Sequence, residues 1–207
     1  MTATTTFGIN SYSYIFSHAA EACIREWSER GHANFELMMF PGHIFPPDMD
    51  SAQRSAFRQA VDGMGARIVT LNMPNLDINL AAINEEMRTH SLGFLKGVVE
   101  LAGELGVPGV VLGIGKANPL FPAPTDRLTG YFFDALDTLV PLAAKSGTAL
   151  WVENMPFSFV GDAPTLTDML ADYGSDEIGF VYDVANAHFI GEDIADGLRH
   201  VKDRLKL

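Results

Sequence analysis

Residues 149–183 have the sequence ALWVENMPFSFVGDAPTLTDMLADYGSDEIGFVYD, and this stretch indicates the fold. Two segments of it, 149–153 and 178–183, are almost entirely apolar, and the segment 165–173 between them has a helical composition. Strands that are apolar on both faces and alternate with helices are typical of a parallel sheet covered by helices. The stretch therefore predicts one strand–helix–strand unit of an α/β protein.

The same unit recurs along the whole chain. Further strands are predicted at 7–12, 35–40, 67–73 and 109–114, another strand begins at 204–207, and further helices are predicted at 18–30, 51–64, 85–105, 125–145 and 193–202. We expect Pro141 to kink or split the helix at 125–145, because proline lacks the N–H that an uninterrupted helix uses.

Six units followed by the start of a seventh favour a (β/α)8 TIM barrel, with an open parallel α/β sheet as the alternative. Such a barrel usually needs about 250 residues, and this chain has 207. We therefore expect one TIM-barrel domain over residues 1–207, truncated after about six units and without strands seven and eight. Because a sheet that ends there exposes two edges, the sequence also predicts a homo-oligomer or a partner that covers them.

The composition excludes several classes of protein. The 26 acidic residues outnumber the 14 Lys and Arg residues, and the net charge of −12 disfavours a nucleic-acid partner. A single cysteine, Cys23, excludes a disulfide scaffold and a cysteine-ligated zinc module. Neither a signal peptide nor an apolar run of the ~20 residues that a membrane span needs is present. We therefore expect a soluble, cytoplasmic protein with no membrane partner.

Candidate site residues lie where the predicted strands end, because ligands bind at the carboxyl ends of the strands in parallel α/β folds. The polar side chains and glycines at these positions are Asn10, Tyr12, Glu36, His43, Asn72, Gly113, Gly115, Lys116, Glu153, Asn154, Asp183, Asn186 and His188.

Glu153 and Asp183 are the most informative pair among these residues. Each ends an apolar strand, and the two strands are expected to be neighbours about 4.8 Å apart. Two partly buried carboxylates at that spacing repel each other unless a proton or a cation neutralises them. The pair therefore predicts a divalent metal ion, Mn, Mg, Co or Zn, with Glu153 and Asp183 as ligands. The alternative is that each carboxylate caps the following helix or pairs with a Lys or Arg.

Four other side chains are predicted to bind substrate oxygens: His188, His43, Asn72 and Asn154. For the two histidines, the alternative is an ordinary loop histidine with satisfied hydrogen bonds. The segment 112–116, Leu-Gly-Ile-Gly-Lys, begins like a phosphate-binding loop, but it lacks the Walker spacing and the Ser or Thr that follows the lysine.

Two motifs resemble those of the xylose isomerase-like TIM barrel superfamily: Glu-Asn-Met-Pro at 153–156 and Val-Tyr-Asp-Val-Ala-Asn-Ala-His at 181–188. That superfamily includes sugar and sugar-phosphate isomerases and epimerases, myo-inosose dehydratases, and AP endonucleases of the endonuclease IV type. The resemblance implies a metal site with a Glu after strand five, here Glu153, and an Asp after strand six, here Asp183. A His after strand seven and a Glu after strand eight would complete the site, beyond Leu207.

The resemblance also implies the activity. The expected protein is a metal-dependent isomerase or epimerase that acts on a small sugar, sugar phosphate or related polyol through an enediolate, with Glu153 as the catalytic acid and base. A dehydratase or lyase that uses the same site is one alternative, and a non-catalytic binding or accessory protein is another. Asn186 stands three residues after Asp183, where endonuclease IV-type members have a histidine, so a role in DNA repair is disfavoured.

Overall fold

The computed structural model describes residues 6–73 and 77–207, and a parallel sheet lies at its centre. Six strands lie side by side in the order of the sequence, and every neighbouring pair is parallel. They are β1 (Ile9–Asn10), β2 (Asn34–Met38), β3 (Arg67–Asn72), β4 (Gly109–Leu112), β5 (Ala149–Glu153) and β6 (Gly179–Val181).

Helices connect these strands. They are α1 (Ala20–Ser28), α2 (Ser51–Gly63), α3 (Glu85–Leu105), α4 (Thr125–Ser146), α5 (Ala163–Tyr173), α6 (Val184–Ile190) and α7 (Ile194–Val201). Two 3-10 turns lie at Tyr12–Tyr14 and Pro46–Asp48. Within the described segments, no helix combines the length and the apolar character that a bilayer crossing requires.

The strand order distinguishes the two predicted architectures. Each crossover moves the chain one strand further in the same direction, and since such connections are right-handed, the helices all cover one face. A doubly wound sheet would instead reverse direction at a switch point, with helices on both faces. The order β1 to β6 has no such reversal. The prediction of an α/β fold of the TIM-barrel type is therefore confirmed.

Residues 204–207 extend this order, as the sequence predicts. The amide of Phe180 donates to the carbonyl of Arg204 at 2.9 Å, and the amide of Lys206 donates back to Phe180, also at 2.9 Å. The amide of Tyr182 donates to Leu207 at 3.0 Å. This is the slanted ladder of a parallel pair, so the segment lies alongside β6.

Pro141 was predicted to kink or split the helix; the split is wrong, because α4 continues through this residue, and the kink stays a prediction. Proline removes one backbone hydrogen bond, but the helix is held on both sides of it by buried packing. Phe132 and Leu136 before the proline and Ala143 after it are all within the core. Most helical stability in proteins comes from this kind of packing rather than from intrinsic propensity.

The two faces of the sheet have different partners. Side chains alternate along a strand, so Leu150 and Val152 face the helices, whereas Trp151 and Glu153 face the inside of the barrel. Trp151 packs there with Val111 and Val181 from the strands on either side. The neighbouring strands have glycines beside the indole: a Cβ built on Gly109 would lie 2.5 Å from Cδ2 of Trp151, and one built on Gly179 would lie 2.7 Å from its Cδ1.

Candidate metal and active site

A cleft of about 580 Å³ opens at the carboxyl ends of the strands. Five polar side chains that line it come from five strands or the residues just after them: Asn10, Glu36, Asn72, Glu153 and Asp183. All of them belong to the inner-facing set of the alternating pattern. The cleft therefore brings together residues that are far apart in the sequence, including the predicted metal ligands Glu153 and Asp183 and the predicted substrate-binding residue Asn72.

Glu153 is the most perturbed acid of the cleft. The residue is only 8% exposed, and its pKa is raised to about 8. Burial is the largest cause, the negative charges of Asp183 and Glu36 act in the same direction, and a hydrogen bond with the Asn72 side chain acts in the opposite direction. A carboxyl group that titrates this close to neutrality can both accept and release a proton, as general acid–base catalysis requires.

Asp183 is held at the N-terminus of α6. Its Oδ1 accepts hydrogen bonds from the amides of Ala185 at 2.7 Å and Asn186 at 2.9 Å, so it is the N-cap of this helix. The helix-capping alternative suggested by the sequence is therefore realised at this residue. Capping uses one of the two carboxylate oxygens, and Asp183 still lines the cleft.

Asn154 connects the ends of β5 and β6. The side chain is fully buried, its Oδ1 accepts from the amide of Asp183 at 2.7 Å, and its Nδ2 donates to the carbonyl of the same residue at 3.0 Å. The side chain of Asn186 in turn donates to the backbone carbonyl of Asn154 at 2.9 Å. These bonds fix the backbone that presents Asp183. Contact of Asn154 with a substrate stays a prediction.

We expect Asn154→Ala to lower the free energy of unfolding by about 2 kcal/mol, because two partly buried backbone groups of Asp183 lose their partners. Asn118→Ala is the matched control: its Oδ1 also accepts from two amides, those of Leu120 and Phe121, but at an exposed site where water can replace it. Urea denaturation measures both variants. Equal losses in the two would contradict this account of Asn154.

Glu36 also belongs to the site, although no specific role was predicted for this residue from the sequence. Its Oε1 accepts hydrogen bonds from the side-chain amides of Asn10 and Asn72, the latter at 3.1 Å. Among the described residues, Glu36 Oε2 and Asn72 Oδ1 are buried without a hydrogen-bond partner. Burial raises the pKa of Glu36. The signal in the sequence was a single carboxylate inside an otherwise apolar strand, since a charge is rarely placed there without a function.

The two histidines that were predicted to bind substrate, His43 and His188, are not among the residues that line this cleft. His43 is buried, its Nδ1 donates to the carbonyl of His18 at 2.5 Å, and its Nε2 accepts from the Ser11 hydroxyl at 2.8 Å. Burial lowers the pKa of its imidazole. His188 is exposed on α6. Contact of either histidine with a substrate stays a prediction.

Comparison with known proteins identifies the family. The family model described as "Xylose isomerase-like TIM barrel" matches residues 24–207. This chain belongs to that family.

Three relatives of this xylose isomerase-like chain illustrate the similarity. The uncharacterized protein MJ1311 of Methanocaldococcus jannaschii is 26% identical in an alignment of 145 positions that covers 64% of this chain and 50% of that protein. The chain thus spans half the length of this curated relative. A crystal structure of D-psicose 3-epimerase in the presence of D-fructose has a TM-score of 0.81 at 16% identity, with 97% of this chain and 71% of that chain covered.

A further solved structure of the same kind contains a metal. It is a xylose isomerase-like TIM barrel protein from Mycobacterium smegmatis in complex with magnesium, with a TM-score of 0.74 and 15% identity over 96% of this chain and 72% of that one. At these identities, the two solved structures demonstrate the shared fold, and one of them is a sugar epimerase by its description.

The donor chemistry of this xylose isomerase-like site suits a divalent cation. Within residues 6–73 and 77–207, no three His, Cys, Asp or Glu side chains are grouped so that they could hold a metal ion. Glu153 and Asp183 are nevertheless hard oxygen donors of the kind that Mg²⁺ and Mn²⁺ prefer. A cation beside them would relieve the repulsion that raises the pKa of Glu153. The unpartnered Oε2 of Glu36 is a further acceptor in the same cleft.

Proposed function

We propose that this chain isomerises or epimerises a small polyhydroxylated carbonyl compound with the help of a divalent metal ion. The observation that carries the proposal is the buried Glu153, whose pKa is raised to about 8 in a cleft that also contains Asp183 and Glu36. Membership of the xylose isomerase-like family and the likeness in fold to D-psicose 3-epimerase support it.

Glu153 moves the proton in this proposal. Its carboxylate removes a proton from the carbon next to the substrate carbonyl, the C–H electron pair forms a carbon–carbon double bond, and the negative charge goes to the oxygen, giving an enediolate. Return of the proton from Glu153 to the neighbouring carbon, with one proton moving between the two oxygens, completes isomerisation. Epimerisation needs a second acid that protonates the other face of the same carbon, a role that fits the Glu that the family resemblance implies after strand eight. A bound divalent cation, held by Glu153 and Asp183, would supply polarisation of the carbonyl oxygen.

The remaining residues orient the substrate. Asn154 and the N-terminal amides of α6 hold Asp183, as described above. The amides of Asn10 and Asn72 and the carboxyl group of Glu36 form a network at the ends of β1, β2 and β3, beside the buried unpartnered oxygens. Amide and carboxyl groups of this kind hydrogen-bond sugar hydroxyls, so this network fits a polyol rather than an apolar substrate.

Two measurements test the proposal. Elemental analysis of the purified chain is expected to find about one divalent metal per chain, lost in Glu153→Ala and Asp183→Ala. With the metal present, NMR in D₂O is expected to detect deuterium next to the carbonyl of a ketose or ketose phosphate, such as D-fructose, D-tagatose or D-fructose 6-phosphate. Glu153→Gln should reduce this exchange about 1000-fold, within the range for loss of a general base.

Glu100→Gln is the matched control, because Glu100 is exposed on α3 and far from the cleft in the fold. This variant is expected to retain both the metal and the exchange. Absence of exchange with every ketose tested, or full exchange by Glu153→Gln, would contradict the proposal. Loss of water from the substrate in place of exchange would indicate a dehydratase.

A further inference from the structure

The turn after β4 places a lysine on the wall of the cleft. Gly113, Gly115 and Lys116 all line it. Among the cleft-lining residues that the structure describes, Lys116 is the one Lys, Arg or His, and the same cleft contains the carboxylates of Glu36, Glu153 and Asp183. The chain as a whole has only 14 Lys and Arg residues against 26 acidic residues. A cation at this position is therefore a specific feature of the site.

The backbone of Lys116 is anchored from the loop that follows β3. Asn79 Oδ1 accepts from the amides of Lys116 at 2.9 Å and Ala81 at 3.0 Å, and Asn79 Nδ2 donates to the carbonyl of Lys116 at 3.0 Å. Gly115 has a φ of +107°, and a Cβ at this residue would lie 2.5 Å from Asn79 Oδ1. Only glycine therefore allows this close approach of the two loops.

The loop that follows β5 anchors the same turn from the other side. The amide of Phe159 donates to the carbonyl of Gly115 at 3.1 Å. The backbone of Lys116 is thus held between the loops of two neighbouring units. A backbone that is ordered before the ligand arrives loses less conformational entropy on binding.

We propose that Lys116 binds an anionic group of the substrate, a phosphate or a carboxylate; this inference rests on the proposed function. An anionic substrate would be repelled by the three carboxylates of the cleft unless a cation faced it. The lysine ammonium is a donor of three hydrogen bonds and a compact positive charge, and lysine is a common phosphate ligand. The substrate is therefore an anionic sugar derivative rather than a neutral sugar.

Calorimetric titration tests this inference with three probes: D-fructose, D-fructose 6-phosphate and D-glucuronate, at a constant concentration of Mg²⁺. The chain is expected to bind the phosphorylated sugar more tightly than D-fructose. Lys116→Met should weaken the binding of that anion about 10- to 100-fold, the range for a hydrogen bond to a charged group. Its affinity for D-fructose should change less than about twofold, since no charge is involved.

Lys116→Arg and Lys96→Met are the control variants. Arginine retains the positive charge and should retain most of the affinity for the anion, and Lys96 is an exposed residue of α3 whose loss should have no effect. Weakening of both anionic probes by Lys116→Met indicates a general anion site, and weakening of the phosphorylated sugar alone indicates a phosphate site.

Three results would overturn the inference. They are equal affinity of the chain for D-fructose and D-fructose 6-phosphate, undetectable binding of both anions, and equal weakening of the neutral and anionic probes by Lys116→Met. The last result would mean that the lysine only neutralises the neighbouring carboxylates. If the chain binds the anion through Lys116 but catalyses no deuterium exchange, the result would contradict the proposed function and still support the anion site at Lys116.

Discussion

We expect the free energy of unfolding of the metal-free chain to fall by about 4 kcal/mol as the pH rises from about 5 to about 9. The main cause is Glu153, whose pKa is raised from 4.5 to about 8 in the folded chain. Between these two values, the folded chain binds a proton that the unfolded chain has released. The resulting stabilisation is complete below the unfolded value and is lost as the pH rises through about 8.

Other groups modify this profile without reversing it. The pKa of Glu36 is also raised, so this residue contributes with the same sign. The pKa of His43 is lowered by burial, so it contributes stability that is lost as the pH falls. Its contribution therefore changes with pH only at the acidic end of the range, where it opposes that of Glu153, and is constant at the alkaline end.

Urea denaturation across this pH range measures the effect. Glu153→Gln is expected to remove most of the pH dependence and to be more stable than the unsubstituted chain at alkaline pH, because no buried charge remains at this position. Glu100→Gln serves again as the exposed control and should follow the unsubstituted chain. Superimposable profiles for the chain and its Glu153→Gln variant would contradict the prediction. Added Mg²⁺ or Mn²⁺ should restore stability at alkaline pH, since a cation binds the ionised form.

Gly109→Ala is expected to destabilise the chain by about 3 kcal/mol or more, at the upper end of the range for overpacking. The new methyl group would overlap the indole of Trp151, because a Cβ on Gly109 lies 2.5 Å from Cδ2. The ring cannot move away towards β6, since it already approaches the backbone of Gly179 on that side. Relief would require displacement of a strand of the sheet.

A glycine in an open position provides the control for this substitution. Gly130 lies in α4 with no heavy atom within 4 Å of a built Cβ, so Gly130→Ala should stabilise the chain by up to about 1 kcal/mol. Trp151→Leu combined with Gly109→Ala should recover part of the loss, because the smaller side chain makes room for the methyl group. Equal stability of Gly109→Ala and the unsubstituted chain would contradict the packing described for Trp151.

The sequence predicted the framework of the fold because the framework depends on local signals. The apolar strands and the helices between them recur in order, and α3 begins where Asn84 caps it, with its Oδ1 accepting from Met87 at 3.0 Å. The short helix α6 was not predicted, because seven residues contain too few turns to display a periodic pattern. Its N-cap Asp183 was expected first as a metal ligand and, alternatively, as a helix cap.

The sequence was less informative about the site wherever the answer depends on the direction of a side chain. Glu153 and Asp183 were correctly predicted to lie in the cleft, because each stands at the end of an apolar strand. His43 lies in a turn, and no local pattern indicates that this turn directs the imidazole to Ser11 and His18. The partners of Glu36 come from β1 and β3, so their contact exists only once the sheet has formed.

The position of Trp151 also provides an optical probe of the site. The chain has two tryptophans; Trp27 lies on α1, 4.8 Å from the Arg30 guanidinium, whereas Trp151 is 9% exposed inside the barrel. Trp151 precedes Glu153 by two residues and faces the same side of β5. The emission of an indole depends on the local electric field, so a Trp27→Phe variant would report the charge of Glu153 and the arrival of a cation by fluorescence, without any substrate.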